Sequence, residues 1–242
     1  MCNYSTMHPH LLFQRPMDLL DTLRTTGAVR DFLPDPVDDA TVARILDNAR
    51  FAPSGGNRQG WRVVLVKDAA TREALRDLYL PGWYEYLAMR AAGLTPWAPV
   101  TDRAKEAEAI AAARPIETGF PEHLHEVPVL LAVFADLRAL AAVDRDGDRY
   151  TFVGGASVYP FVWSVLLAAR AEGLAGVITT MPVREEAKVK ALLDAPDELA
   201  LAAVVAMGKP VKQPRRLTRA GVDQFATVDR VSGPPIGAPA PR

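Results

Sequence analysis

"ARFAPSGGNRQGWRVVLVKD", Ala49 to Asp68, is the stretch on which the reading of this chain turns. A helical pattern runs into Pro53-Ser54-Gly55-Gly56-Asn57, and that loop leads at once into "WRVVLVK", Trp61–Lys67. The branched and aromatic residues of the second piece read as a strand. Two adjacent glycines between a proline and an amide describe a backbone that lies close against something.

Working outward, the preceding segment "DPVDDATVARILDNARF" is the clearest helix. Pro36 precedes it, Asp38 or Asp39 can cap it, and Val42, Ile45, Leu46 and Ala49 share one face. Further upstream, "RPMDLLDTLRTT" puts Met17, Leu20 and Leu23 at helical spacing. Downstream, "TREALRDLYL" is a helix that should stop before Pro81. An irregular excursion from Pro81 to Val127 follows, with a helical piece near "DRAKEAEAIAAAR". "PVLLAVFAD", "LAGVITT" and "LALAAVVAM" read as strands, "ASVYPFVWSVLLAARAEG" and "REEAKVKALLD" as helices. The first of these helices is apolar on almost every side, so other elements or a second subunit must enclose it. Residues 1–14 and 221–242 have little to bury, which leaves one domain over 15–220.

Composition narrows the function. Hydrophobic residues make up 49% of the 242, ample for a core, and the net charge of −1 gives no field for nucleic acid or an anionic membrane. The uncharged stretch Thr151 to Ala169 is densely apolar only from Phe161, far short of the ~20 residues of a spanning helix. The single cysteine, Cys2, permits no intrachain disulfide and suits a reducing cytoplasm. Ser54 and Ser157 lack a Gly-x-Ser-x-Gly setting, and no Gly-x-Gly-x-x-Gly or Walker loop is present. His123 and His125 form an H-x-H pair that reads better as a surface loop than as a metal site. No protein nucleophile, acid or base stands out.

The polar signals lie elsewhere: Arg24 and Arg30 around "TTGAV", the loop Ser54–Gln59, Ser157 at the head of the apolar helix, "ITTMP", and "KPVKQPRR". Guanidinium forks match phosphate oxygens, while amides and close backbone N–H groups suit a planar heteroaromatic ring. A phosphate and such a ring together describe a mononucleotide, best a flavin. Taken singly, each piece has a plain structural reading; their joint occurrence in order carries the weight.

"AVRDFLPDPVDDATVARILDNARFAPSGGNRQGWRVVLV" resembles the N-terminal signature of the FMN-dependent nitroreductase family, and the likeness continues through "ASVYPFVWSVLLAARAEGLAGVITT" and "VVAMGKPVKQPRR". The resemblance implies an α+β sandwich: a mostly antiparallel central sheet flanked by helices, with a buried central helix, in a domain-entwined homodimer. It implies FMN at the subunit interface, NADPH or NADH as transient reductant, and a small-molecule electron acceptor. Chemistry would reside on flavin N5, with no catalytic protein residue and no metal. Arg30, helped by Arg215 and Arg216 and less by Arg24, would hold the phosphate. Pro53, Ser54 and Gly55 would line the flavin from the partner subunit. Asn57 and Gln59 fall on the family's amide positions and serve the flavin or the shape of the loop. Ser157 would lie near the flavin, and Ile178, Thr179 and Thr180 would run beside its ring. Trp83, Tyr84, Tyr86 and Trp97, in the excursion over the flavin face, would stack a flat substrate or pack the excursion.

The chain departs from the pattern at Thr26-Gly27-Ala28, where relatives carry a basic-polar run; backbone N–H groups there would have to replace side-chain contacts. Two further readings share the resemblance: a non-catalytic flavin-binding protein, and an oxygen-consuming flavin destructase-like or oxidase member. Replacing Arg30 by Ala is expected to lower FMN occupancy sharply. Unchanged occupancy and affinity in a flavin titration would place the phosphate elsewhere.

Overall fold

The computed structural model describes residues 18–148 and 152–237. The N-terminal segment 1–14, expected to be loose, and Met17 of the expected first helix lie outside them. Four strands, β1 (Trp61–Leu65), β2 (Val129–Asp136), β3 (Ala175–Thr179) and β4 (Leu199–Gly208), form one sheet in the order β1-β2-β4-β3. Every pairing is antiparallel.

All eight residues of β2 are buried. One face of the sheet packs Leu131, Val133, Val205 and Met207 against α2 (Asp39–Ala49) and α5 (Tyr159–Ala171). The other packs Leu130, Phe134, Val204 and Ala206 against α3 (Ala69–Ala91) and α6 (Glu186–Leu192). This is a three-layer α+β sandwich. Asp38 caps α2, its carboxylate accepting from the Thr41 N–H at 2.6 Å. Trp61 opens β1 as a core residue, its ring stacked on Phe161 at 4.7 Å.

Three expectations are corrected. The helix expected to end before Pro81 runs through it to Ala91. Pro81 removes one rung of the backbone ladder, but Tyr79, Trp83 and Tyr86 bridge the gap. Trp83 is tilted against Tyr79 at 6.3 Å and stacked on Tyr86 at 5.1 Å. Gly82 is buried beneath Met181, whose sulfur lies 2.8 Å from where a Cβ would stand. The excursion therefore begins as helix, and α4 (Arg103–Ala111) supplies its second piece.

The second correction concerns α1 (Leu19–Thr25), which is turned the other way round. Leu20 and Leu23 are exposed, and Thr22 and Thr25 are buried. Each threonine hydroxyl donates to a carbonyl four residues back, at 2.8 Å, so neither enters the interior unpaired. The third concerns α5, which begins at Tyr159 rather than Ala156. Phe161, Val162, Val165, Leu166 and Ala169 are buried, but Trp163, Leu167 and Ala168 are only half-buried.

Phe161 touches both the sheet core and Trp61, so Phe161→Ala is expected to cost about 3–5 kcal/mol. Urea unfolding should show this as a lowered midpoint at unchanged slope.

Candidate functional site

The expected cofactor residues fall into two groups on opposite edges of the sheet. The first is the loop before β1. Gly56 has φ of +61°, and Asn57 and Gln59 also take positive φ, 52° and 51°. Three left-handed residues within four positions make a tightly coiled loop. Ser54 Oγ accepts from the Gln59 N–H at 3.0 Å, and Ser157 Oγ accepts from the Gly55 N–H at 3.0 Å. Both hydroxyl protons are left to donate outward. The amides of Gln59 and Asn57 pair with each other at 3.1 Å and so brace the loop. A cavity of about 270 Å³ lies between Pro53–Gly55 and the turn Gly154–Ser157. Ser157 Oγ, 3.5 Å away, is the nearest atom that a Cβ on Gly55 would meet, which is ordinary contact. Close approach at Gly55 is therefore not required by this chain's own packing.

The second group lies along β3, the opposite edge strand. The Gly176 carbonyl accepts from the Val29 N–H at 2.9 Å and so points off the sheet. Backbone groups alternate along a strand, so the N–H groups of Ile178 and Thr180 face the same open edge. Segment 213–217 lies over residues 25–27: Gln213 Nε2 donates to the Thr25 carbonyl at 3.0 Å, and Leu217 and Pro214 cover Gly27. That brings Arg215 and Arg216, both exposed, beside Gly27-Ala28.

Thr26 is buried, and its hydroxyl donates to the Thr22 carbonyl at 2.7 Å, so it offers nothing outward. Arg24 is an exposed residue in the last turn of α1. Arg30 lines a separate cleft of about 350 Å³ with Phe32, Phe120 and His123. Its positive charge, like the Thr179 side chain, favours ionisation of the Tyr79 hydroxyl. Burial outweighs both and pushes the Tyr79 hydroxyl up. Tyr79 and Arg170 escape a reading by motif. Arg170, held below its usual range by burial, donates to Thr25 Oγ1 at 3.3 Å, and its Nε has no partner among the described residues.

The aromatic residues of the excursion divide in the same way. Trp83 and Tyr86 are spent on each other, and Trp83 Nε1 donates to Thr118 Oγ1 at 2.9 Å. Tyr84 sits half-buried on α3 outside that stack, its hydroxyl pushed up by burial. Trp97 lines a cavity of about 490 Å³, which it shares with Thr180, Met181 and Arg184. The Arg184 guanidinium lies 4.3 Å over the Trp97 ring and pairs with Glu85 at 2.7 Å. Arg184 stands four residues after Thr180 in "TTMPVRE", a signal available in the sequence.

His123 pairs with Glu126 at 3.2 Å and Glu117 at 3.4 Å, and the Glu126 hydrogen bond raises its pKa. Among the described residues no group of three or more His, Cys, Asp or Glu side chains is arranged to hold a metal ion. No helix among them is long and apolar enough to cross a membrane.

Residues 23–209 match the family described as the Nitroreductase family. The 5,6-dimethylbenzimidazole synthase of Rhodospirillum rubrum is 33% identical over 75% of this chain and 77% of its own. An NADH dehydrogenase of Thermus thermophilus is 29% identical over 77% and 83%. Among solved structures, iodotyrosine deiodinase bound to FMN and 3-iodo-L-tyrosine superimposes with a TM-score of 0.60 at 25% identity, over 85% of this chain and 96% of that one.

The end of the Pro53–Gly60 loop is tied to β2, because the Asp136 N–H donates to the Gly60 carbonyl at 2.7 Å. Hydrogen bonds from the Arg138 side chain, then from its backbone N–H, hold the Asp136 carboxyl down at about 2, with the charges of Arg138 and Arg62 adding and burial opposing. A depressed carboxyl pKa stabilises the fold above the ordinary value of 3.8 and loses that contribution as pH falls toward 2. Stability measured between pH 5 and about 2 should fall in the wild type and fall less in Asp136→Asn.

Proposed function

The chain belongs to the nitroreductase family, and on that premise we propose that it is an FMN-dependent oxidoreductase. It takes a hydride from NADPH or NADH and passes the electrons to a small planar acceptor, a nitroaromatic, quinone or enone, in ping-pong order. The observation that carries this reading is the open edge of β3. There the N–H groups of Ile178 and Thr180 alternate with the outward carbonyl of Gly176, and Thr180 lines a cavity with Trp97 and Arg184.

The donor set fits a flavin. Bound FMN supplies the two-electron chemistry at its N5, which explains why no protein acid, base or nucleophile is needed. The Ile178 and Thr180 amides orient the ring and donate to it, fixed dipoles that need no reorganisation. Arg30, beside Tyr79 and Thr179, adds positive charge. With Thr26 withdrawn into the interior, the phosphate falls to Arg215 and Arg216, beside Gly27-Ala28, and to Arg30. In this reading residues 15–220 form the flavin-binding domain, residues 221–242 a tail, and the protein works in the reducing cytoplasm.

The site is completed by a second copy. Ser54, Gly55 and Ser157 sit at the β1 edge, and Thr180 at the β3 edge, separated by the two strands between them in the order β1-β2-β4-β3. The two groups line different cavities, and in this reading the flavin meets Thr180 of one subunit and the Ser54–Gly55 loop of the other. The exposed leucines of α1 and the half-buried Trp163 and Leu167 of α5 supply apolar surface for such a homodimer.

A second reading is favoured by the 33% identity to a 5,6-dimethylbenzimidazole synthase: an oxygen-consuming, flavin destructase-like activity on the same scaffold.

Anaerobic addition of NADPH or NADH to the purified protein tests these readings. A yellow protein that bleaches and is reoxidised by a nitroaromatic or quinone meets the proposal. Bleaching followed by oxygen uptake with loss of flavin favours the second reading. A yellow protein that no nicotinamide reduces marks a flavin-binding protein without this activity. A protein that stays colourless when FMN is supplied overturns both enzymatic readings.

A further inference from the structure

The acceptor class can be narrowed from the cavity between the excursion and the tip of β3. Its walls include Trp97, Tyr159, Thr180, Val183 and Leu201, and Arg184 is the only charged side chain among the lining residues. Arg184 is 40% exposed, enough to be reached from the cavity, yet it is not loose. Its Nη2 is held by Glu85 Oε2 at 2.7 Å and its planar face lies 4.3 Å over the Trp97 ring. These two contacts fix the guanidinium and use only one edge of it. An arginine has five N–H donors in a rigid fork, so donors remain for a second acceptor.

We propose that the fixed Arg184 guanidinium, set in an otherwise uncharged cavity beside Thr180, selects flat aromatic acceptors that carry an acidic group such as a carboxylate. The assignment of this cavity to the acceptor rests on the reading of Thr180 as the flavin edge. Trp97 contributes the apolar wall and, through its stack on Arg184, keeps the fork from collapsing into solvent. Glu85 acts as a positioning residue: it orients the guanidinium while competing for part of its charge. A ligand that arrives already charged meets a donor whose ordering cost is met before binding. A neutral ligand of the same shape gains the apolar wall alone.

Benzoate and benzamide have nearly the same shape and differ in charge, so their calorimetric affinities for the purified protein isolate the contribution of Arg184. Benzoate is expected to bind about tenfold or more tightly than benzamide, the scale of one charge-assisted hydrogen bond. That ratio should approach one in Arg184→Gln and should rise in Glu85→Gln, which removes the competing charge. Equal affinities in the wild type overturn the proposal, and so does a preference that survives Arg184→Gln. Calorimetry reads benzoate whatever the flavin content. A colourless protein with the benzoate preference therefore refutes the flavin reading and leaves the anion preference standing. A yellow protein without the preference refutes only the inference about Arg184.

Discussion

Burial of β2 and β4 on both faces is the constraint from which the rest follows. Strands without a polar face must be covered twice, so α2 and α5 lie on one side of the sheet and α3 and α6 on the other. No polar site can open through such a sheet, since unpaired polar groups there would carry their full desolvation cost. Chemistry is left to the rims: the loop that feeds β1, the open edge of β3 and the turn beyond it. Ser54 and Gly55, Ile178 and Thr180, and Arg184 are found at those places.

Much of this was legible in the sequence because its causes are local. The strands were visible as apolar runs bounded by turns, and α2 showed its capping aspartate and apolar face. The loop Pro53–Gln59 declared itself by glycine and amide content. What escaped depends on which of two competing local signals wins. Pro81 signals a stop, and the ring contacts of Tyr79, Trp83 and Tyr86 across it override that signal. The leucines of α1 lie at helical spacing, but spacing alone cannot tell which side of a helix meets its neighbour, and the threonines face inward by bonding back to their own helix. The likeness of residues 23–209 to the family fixes the fold, while the site around Arg184 depends on a salt bridge between residues 85 and 184.

The departure at Thr26-Gly27-Ala28 has a structural counterpart. Thr26 is turned inward, Gly27 lies beneath Leu217, and the segment that carries Arg215 and Arg216 is brought to that stretch from the C-terminal part of the chain. The C-terminal segment thus closes over the place where the N-terminal run is poor in charge. A phosphate held there would depend on the chain's last packed segment being in position, and flavin retention and docking of that segment would become one event.

The unbroken course of α3 through Pro81 bears on how the cavity is walled. A 23-residue helix at 1.5 Å per residue is a rod of about 35 Å. Its first half is rooted in the core through Leu75 and Tyr79, and its second half carries Glu85 toward the cavity. Proline sites are where helices bend. Here both sides of Pro81 are held, by Leu75 and Tyr79 before it and by Gly82 and Met89 after it, so Glu85 reaches Arg184 from a stiff element and not from a loop.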